Sequence, residues 1–197
     1  MASSLGDKSL RDVLAALAGD SPTPGGGSAC AAASAMGAAL LMMAAARAGV
    51  AQHTLAGIEQ QLTEAIDGDA AAYTHVIAAM KQPHESQADR ASRTAAIQLA
   101  LRHATDVPLS VLRLSADALN EARLLAPHVR RSTIADAAVA VTLVGAGFEG
   151  ARRTVEANLA GLRDTEYILT VRDECLRLSE QAMQASAEAD RLLLRVG

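Results

Sequence analysis

The sequence predicts an all-α fold, an antiparallel multi-helix bundle in a single domain, on three observations. Hydrophobic residues make up 50% of the 197 residues, yet aromatic residues only 2%, and tryptophan is absent. A core of Ala, Leu, Val and Met suits helices that approach closely, whereas a sheet draws on β-branched and aromatic side chains. No stretch alternates apolar and polar residues with the two-residue period of a strand, and neither a fixed-period repeat nor a domain linker interrupts the chain. A chain of this length can bury a proper core on its own.

Each helix has its own pattern. Leu10, Val13, Leu14 and Leu17 repeat over residues 7–19 as a short amphipathic helix ended by Gly19. Pro22 and Pro24 hold the next segment extended, and Gly25, Gly26 and Gly27 let it turn. A run of small uncharged residues from Ser28 to about Arg47 then reads as a helix, since alanine is the best helix former. Residues 54–81 carry Leu55, Ile58, Leu62, Ile66, Val76, Ile77 and Met80 at helical spacing, broken by Gln82-Pro83-His84-Glu85. Residues 86–105 form a polar-faced helix. Asp106-Val107-Pro108 either restarts or kinks a helix that runs on to Pro127, with Asp106 as its possible cap. Ser132-Thr133 caps a helix reaching Leu162, and a last helix covers about 165–195.

Composition also excludes. A net charge of −4 gives no basic field for nucleic acid, and there is no aromatic platform for stacking bases. Cys30 and Cys175 lie far apart in helical sequence, and the five histidines form no ligand motif, so neither a disulfide framework nor a metal site is expected. Met1 to Lys8 is too polar for a signal peptide. The run from Ser28 to Ala46 is long enough to span a membrane, but it is alanine-rich and stands alone. It reads as the buried helix of a soluble, cytoplasmic protein.

The chemistry gathers at a few places. A helix that starts on bare glycines offers unpaired N–H donors and a positive dipole end, suited to a carboxylate, a phosphate or a polarised carbonyl. The same glycines also fit close packing of a central helix, and the residues alone leave both readings open. Asp69 and Tyr73 are four apart and share a helix face, where a carboxylate beside a phenol can build a small polar site; Asp67 reads as part of a solvated turn. Asp136 is the only charge between Arg131 and Glu149. Buried, it would be strongly perturbed and a site candidate; as the acid of a first turn after Thr133, it would be nearly a capping box. Asn158 lies near an apolar helix face, where an amide needs partners.

Pro22-Thr23-Pro24-Gly25-Gly26-Gly27-Ser28 and its small-residue helix resemble the opening signature of the cyclodeaminase and methenyltetrahydrofolate cyclohydrolase family. The similarity continues through Asp69-x-x-x-Tyr73, Met80-Lys81-Gln82-Pro83, Ala104-Thr105-Asp106-Val107-Pro108-Leu109, Asp136-Ala137-Ala138-Val139-Ala140 and Asn158, in matching order and spacing over nearly the whole chain. The resemblance implies an all-helical homodimer acting on tetrahydrofolate-bound one-carbon units, with no metal and no cofactor beyond that folate substrate. It implies Asp136 and Asp69 as acid–base and cation-stabilising groups. Pro24, Gly25, Gly26, Gly27 and Ser28 would line the pocket, with Tyr73, Lys81 and Asn158 as further substrate-binding residues.

The chain departs from the family pattern at several polar positions. It reads Arg47-Ala48-Gly49 where the family carries Thr-x-Gly with basic residues, His84 in place of a lysine, Ser132 in place of an asparagine, Ala135 before Asp136 in place of a serine, and Thr154 in place of a first asparagine. Two further readings follow. A diverged member would close a ring through an imine of the Pictet–Spengler kind on a non-folate substrate, with Asp136, Asp69 and His84 supplying acid, carboxylate and base. An inactive helical dimer would only bind a metabolite or a protein.

Overall fold

The computed structural model describes residues 4–196. Residues 1–3, part of the segment read as too polar for a signal peptide, lie outside them. Six α-helices follow in order: α1 (Leu10–Leu17), α2 (Gly26–Ala48), α3 (His53–Met80), α4 (Gln87–Leu125), α5 (Ile134–Leu159) and α6 (Thr165–Val196). Two short 3₁₀ turns, Ala126–His128 and Arg131–Thr133, join α4 to α5, and no strand occurs among the described residues. The all-α bundle is as the composition predicts.

Helices α3, α2, α5 and α4 pack in a ring around the core, and α6 lies against α4 and α5. Small residues decide how close α2 and α5 come. A Cβ on Gly37 would lie 2.8 Å from the Ala140 carbonyl oxygen, and one on Gly147 would overlap the Ser34 hydroxyl. These contacts also fix the direction: the start of α2 lies beside the end of α5, so the two run antiparallel. Buried Ser34 and Ser115 satisfy each other at 2.7 Å, and Ser115 also donates to the Val111 carbonyl. Ten residues of α2 are buried, as expected of a core helix. Its opposite side is only partly covered, and both α2 and the Arg131–Leu159 segment are long and apolar enough to cross a membrane by length and composition.

Three boundaries differ from the sequence reading. Helix α4 neither restarts nor ends at Pro108; it runs unbroken for 39 residues, opened by a capping box between Ser86 and Asp89. Asp106 is therefore no cap. It sits inside the helix and accepts a 2.6 Å hydrogen bond from the Tyr167 hydroxyl on α6. Helix α5 starts at Ile134 without a side-chain cap, since the Thr133 hydroxyl donates to the Arg130 carbonyl, and it stops at Leu159 rather than Leu162.

Candidate active site

Four helices and one loop meet around a cleft of about 300 Å³. Pro22, Thr23 and Gly25–Gly27 form one side, Asp69, Tyr73 and Val76 come from α3, Leu101 and Ala104 from α4, and Thr154 and Asn158 from α5. Spacings of three and four residues along α3 and of four along α5 are what bring these side chains to one side of each helix.

Asp69 is the chemical centre of this cleft. The N-cap of α2 is Gly25, which has no side chain to cap the helix. The carboxylate of Asp69 takes that role from across the bundle, accepting the Ser28 N–H at 2.9 Å and facing the Ser28 hydroxyl at 3.1 Å. That hydroxyl also lies 2.9 Å from the Ile66 carbonyl, where it can donate. A Cβ on Gly27 would overlap the carboxylate, so glycine is required there by a close approach. At Gly26 an added Cβ meets nothing within 4 Å and would enter open space. Burial pushes the Asp69 carboxyl above its ordinary range, against the lowering effect of its Ser28 hydrogen bonds. The half-buried Cys30 thiol is pushed up as well, by burial first and then by the charge on Asp69.

On the far wall the Thr154 hydroxyl donates to the Gly150 carbonyl at 3.1 Å, and the Asn158 amide donates to the Ala104 carbonyl at 2.7 Å. Val76, Leu101 and Ala104 add an apolar surface beside them. Tyr73, 43% exposed, stands at the mouth.

The structure thus gathers Gly25, Gly26, Gly27, Asp69, Tyr73 and Asn158 at one place, with Ser28 behind them holding Asp69. Pro24 stands in the same loop, and the Thr23–Pro24 peptide bond is cis. Lys81 and His84 are not brought to the cleft wall. Lys81 follows the last turn of α3, roughly 12 Å along the axis from Tyr73, and His84 is exposed in the loop before α4. Asp136 stands furthest away. It lies in the first turn of α5, roughly 33 Å along that helix from Asn158, half-exposed and without a hydrogen bond or ion pair to the described residues. Asp67, read as part of a solvated turn, instead clamps the start of the chain, accepting the Ser4 hydroxyl at 2.5 Å and the Leu5 N–H at 2.6 Å.

The sequence reading did not single out Pro22, Thr23, Val76, Leu101 or Ala104 as lining residues. For Val76 the signal was available, since it continues the Asp69–Tyr73 stripe by three. Among the described residues no cluster of His, Cys, Asp and Glu suitable for a metal ion is found.

The formiminotransferase-cyclodeaminase family model matches residues 9–177, most of the chain and all of this cleft. The chain belongs to that family. Over 111 residues it is 35% identical to a methenyltetrahydrofolate cyclohydrolase of Methylorubrum extorquens, an alignment covering 56% of this chain and 53% of that protein. Over 139 residues it is 34% identical to the formimidoyltransferase-cyclodeaminase of Sus scrofa, covering 68% of this chain and 25% of that protein. The chain thus matches about half of the bacterial relative and a quarter of the mammalian one. The fold is that of the crystallised formiminotetrahydrofolate cyclodeaminase of Thermotoga maritima, with a TM-score of 0.86, 23% identity and coverage of 96% and 98% of the two chains.

Proposed function

We propose that this family member opens or closes a one-carbon ring on tetrahydrofolate, by default hydrolysing 5,10-methenyltetrahydrofolate to 10-formyltetrahydrofolate, with formimino cyclodeamination as the related step. The observation that carries this reading is a half-buried carboxylate at the glycine-built start of α2, facing an amide and an apolar wall across a small cleft. A cleft of about 300 Å³ is at the lower end of ligand pockets and takes the reacting ring, leaving the rest of the ligand outside.

In this mechanism the Asp69 carboxylate lies against the methenyl cation and takes a proton from an incoming water. The water oxygen bonds to the bridging carbon, giving a tetrahedral centre between two nitrogens. As the C=O forms, the bond from carbon to the ring nitrogen N5 breaks, N5 receives one proton and the other leaves to solvent. The first amides of α2 favour the oxygen that develops on that carbon. The positive end of the helix disfavours the cationic ground state, so both effects act in the same direction on the barrier. Asn158 orients the ligand and Tyr73 covers the mouth. A small-molecule substrate, a homodimer and a cytoplasmic setting go with this reading.

The apolar wall of Val76, Leu101 and Ala104, with Thr154 turned to its own backbone, also favours a second reading, imine ring closure on a non-folate substrate. One assay separates the two. The near-UV absorbance of 5,10-methenyltetrahydrofolate should fall faster with the protein than without it, and Asp69→Asn should abolish the difference. A folded protein that leaves the uncatalysed rate unchanged excludes the folate reaction and moves the search to amine–aldehyde condensations.

A further inference from the structure

Pro108 is fully buried in the middle of α4. In a regular helix the N–H of residue i+4 donates to the carbonyl of residue i, and proline has none to give. The carbonyl left without its ladder partner is that of Ala104, four residues earlier. That same carbonyl accepts the Asn158 side-chain amide at 2.7 Å, across the gap between α4 and α5. Ala104 and Asn158 both line the cleft. Because a carbonyl oxygen only accepts, the contact also fixes which end of the Asn158 amide faces α4.

We propose that Pro108 is a positioning residue for the cleft: by withholding a backbone N–H it reserves the Ala104 carbonyl for Asn158 and so sets the orientation of that amide toward the ligand. A proline inside a helix is costly, and α4 carries it without breaking. The bond from α5 compensates the one lost from the ladder. The remaining N–H and the carbonyl oxygen of Asn158 stay available for a ligand, held by a donor–acceptor pair with which the N–H of an alanine at position 108 would compete. The kinetic part of this inference rests on the cleft being the substrate site; the spectroscopic part does not.

The test is Pro108→Ala, which supplies an N–H to compete for the Ala104 carbonyl. Asn120 and Asn158 are the only asparagines in the chain, so selective ¹⁵N labelling of asparagine side chains gives two well-separated reporters. In the unaltered protein the Asn158 amide protons should exchange with solvent at least about tenfold more slowly than those of exposed Asn120. In Pro108→Ala the Asn158 resonances should move toward those of Asn120 and lose that protection, while the melting temperature holds or rises. With 5,10-methenyltetrahydrofolate, kcat/KM should fall to the level of Asn158→Ala, and the double variant should fall no further. Unmoved Asn158 resonances in a folded Pro108→Ala overturn the proposal, as do kinetic losses that multiply in the double variant. Should Pro108→Ala fail to fold, equal exchange of Asn158 and Asn120 in the unaltered protein overturns it alone. Shifted resonances with no detectable turnover in any form uphold the positioning and count against the folate reading.

Discussion

Asp69 serves two ends that pull its titration in opposite directions. Capping α2 favours the carboxylate, burial favours the acid, and burial wins. A carboxyl whose folded pKa is raised contributes most to stability below its unfolded value near 3.9, and that contribution is lost as pH rises through the folded value. An amide in its place, as in Asp69→Asn, would keep the acceptor for Ser28 but carry no charge. The stability of Asp69→Asn relative to the unaltered protein should therefore improve from pH 4 to pH 7, read by urea unfolding at each pH, while turnover falls at least about 10²-fold. The glycines can be sorted in the same way. Gly27→Ala drives a methyl into the Asp69 carboxylate and should cost about 1–3 kcal/mol in denaturant unfolding. Gly26→Ala meets no protein atom, so its stability should stay within about 0.5 kcal/mol while substrate KM rises. A Gly26→Ala protein with unaltered kinetics would leave the glycines a packing role alone.

Elements show where sequence reasoning reaches and where it stops. The small-residue run of α2 foretold its neighbour's closeness: a Cβ at Gly37 would press on the Ala140 carbonyl and Val144. Gly37→Ala should destabilise by about 1–3 kcal/mol, since backbone cannot yield as a side chain can, and a shift in the urea midpoint checks it. Local pattern located the helices and picked out Gly25–Gly27, Asp69, Tyr73 and Asn158, which the structure brings to one cleft. It left Pro108 open between a restart and a kink, because whether a proline ends a helix depends on what satisfies the freed carbonyl. Here that is Asn158, 54 residues beyond Ala104 in sequence. It also could not say which of Asp136 and Asn158 faces the cleft. Both lie on one helix and both are part of the family resemblance, yet 26 residues of α5 put them at its two ends. Which end faces the cleft is decided by the antiparallel packing of α2 on α5, and no spacing within either segment encodes that.

At the scale of the whole molecule, two long apolar helices, α2 and α5, remain incompletely covered. Only 44% and 39% of their most apolar windows are buried, and Met36 and Val139 stand 47% and 51% exposed on their solvent sides. Two helices side by side, about 35 Å long and roughly 10 Å wide each, offer on the order of 700 Å², enough from each copy for an interface of standard size. The homodimer reading then predicts a dimer in sedimentation equilibrium at micromolar protein, and Val139→Glu should convert it to monomer. The same reading gives Asp136 a place it lacks within one chain. Roughly 33 Å of helix separates it from Asn158, so on the homodimer reading any part it takes in turnover would be taken at the partner subunit's cleft. Asp69→Asn and Asp136→Asn should then each be inactive alone. After exchange of subunits, half of the dimers would carry one intact cleft of two, and the mixture should recover about one quarter of full activity. Recovery of that size assigns Asp136 to the neighbouring cleft. Mixed dimers, demonstrated by differential tagging, that stay inactive would remove it from that cleft, and an Asp136→Asn protein that is fully active would remove it from the chemistry altogether.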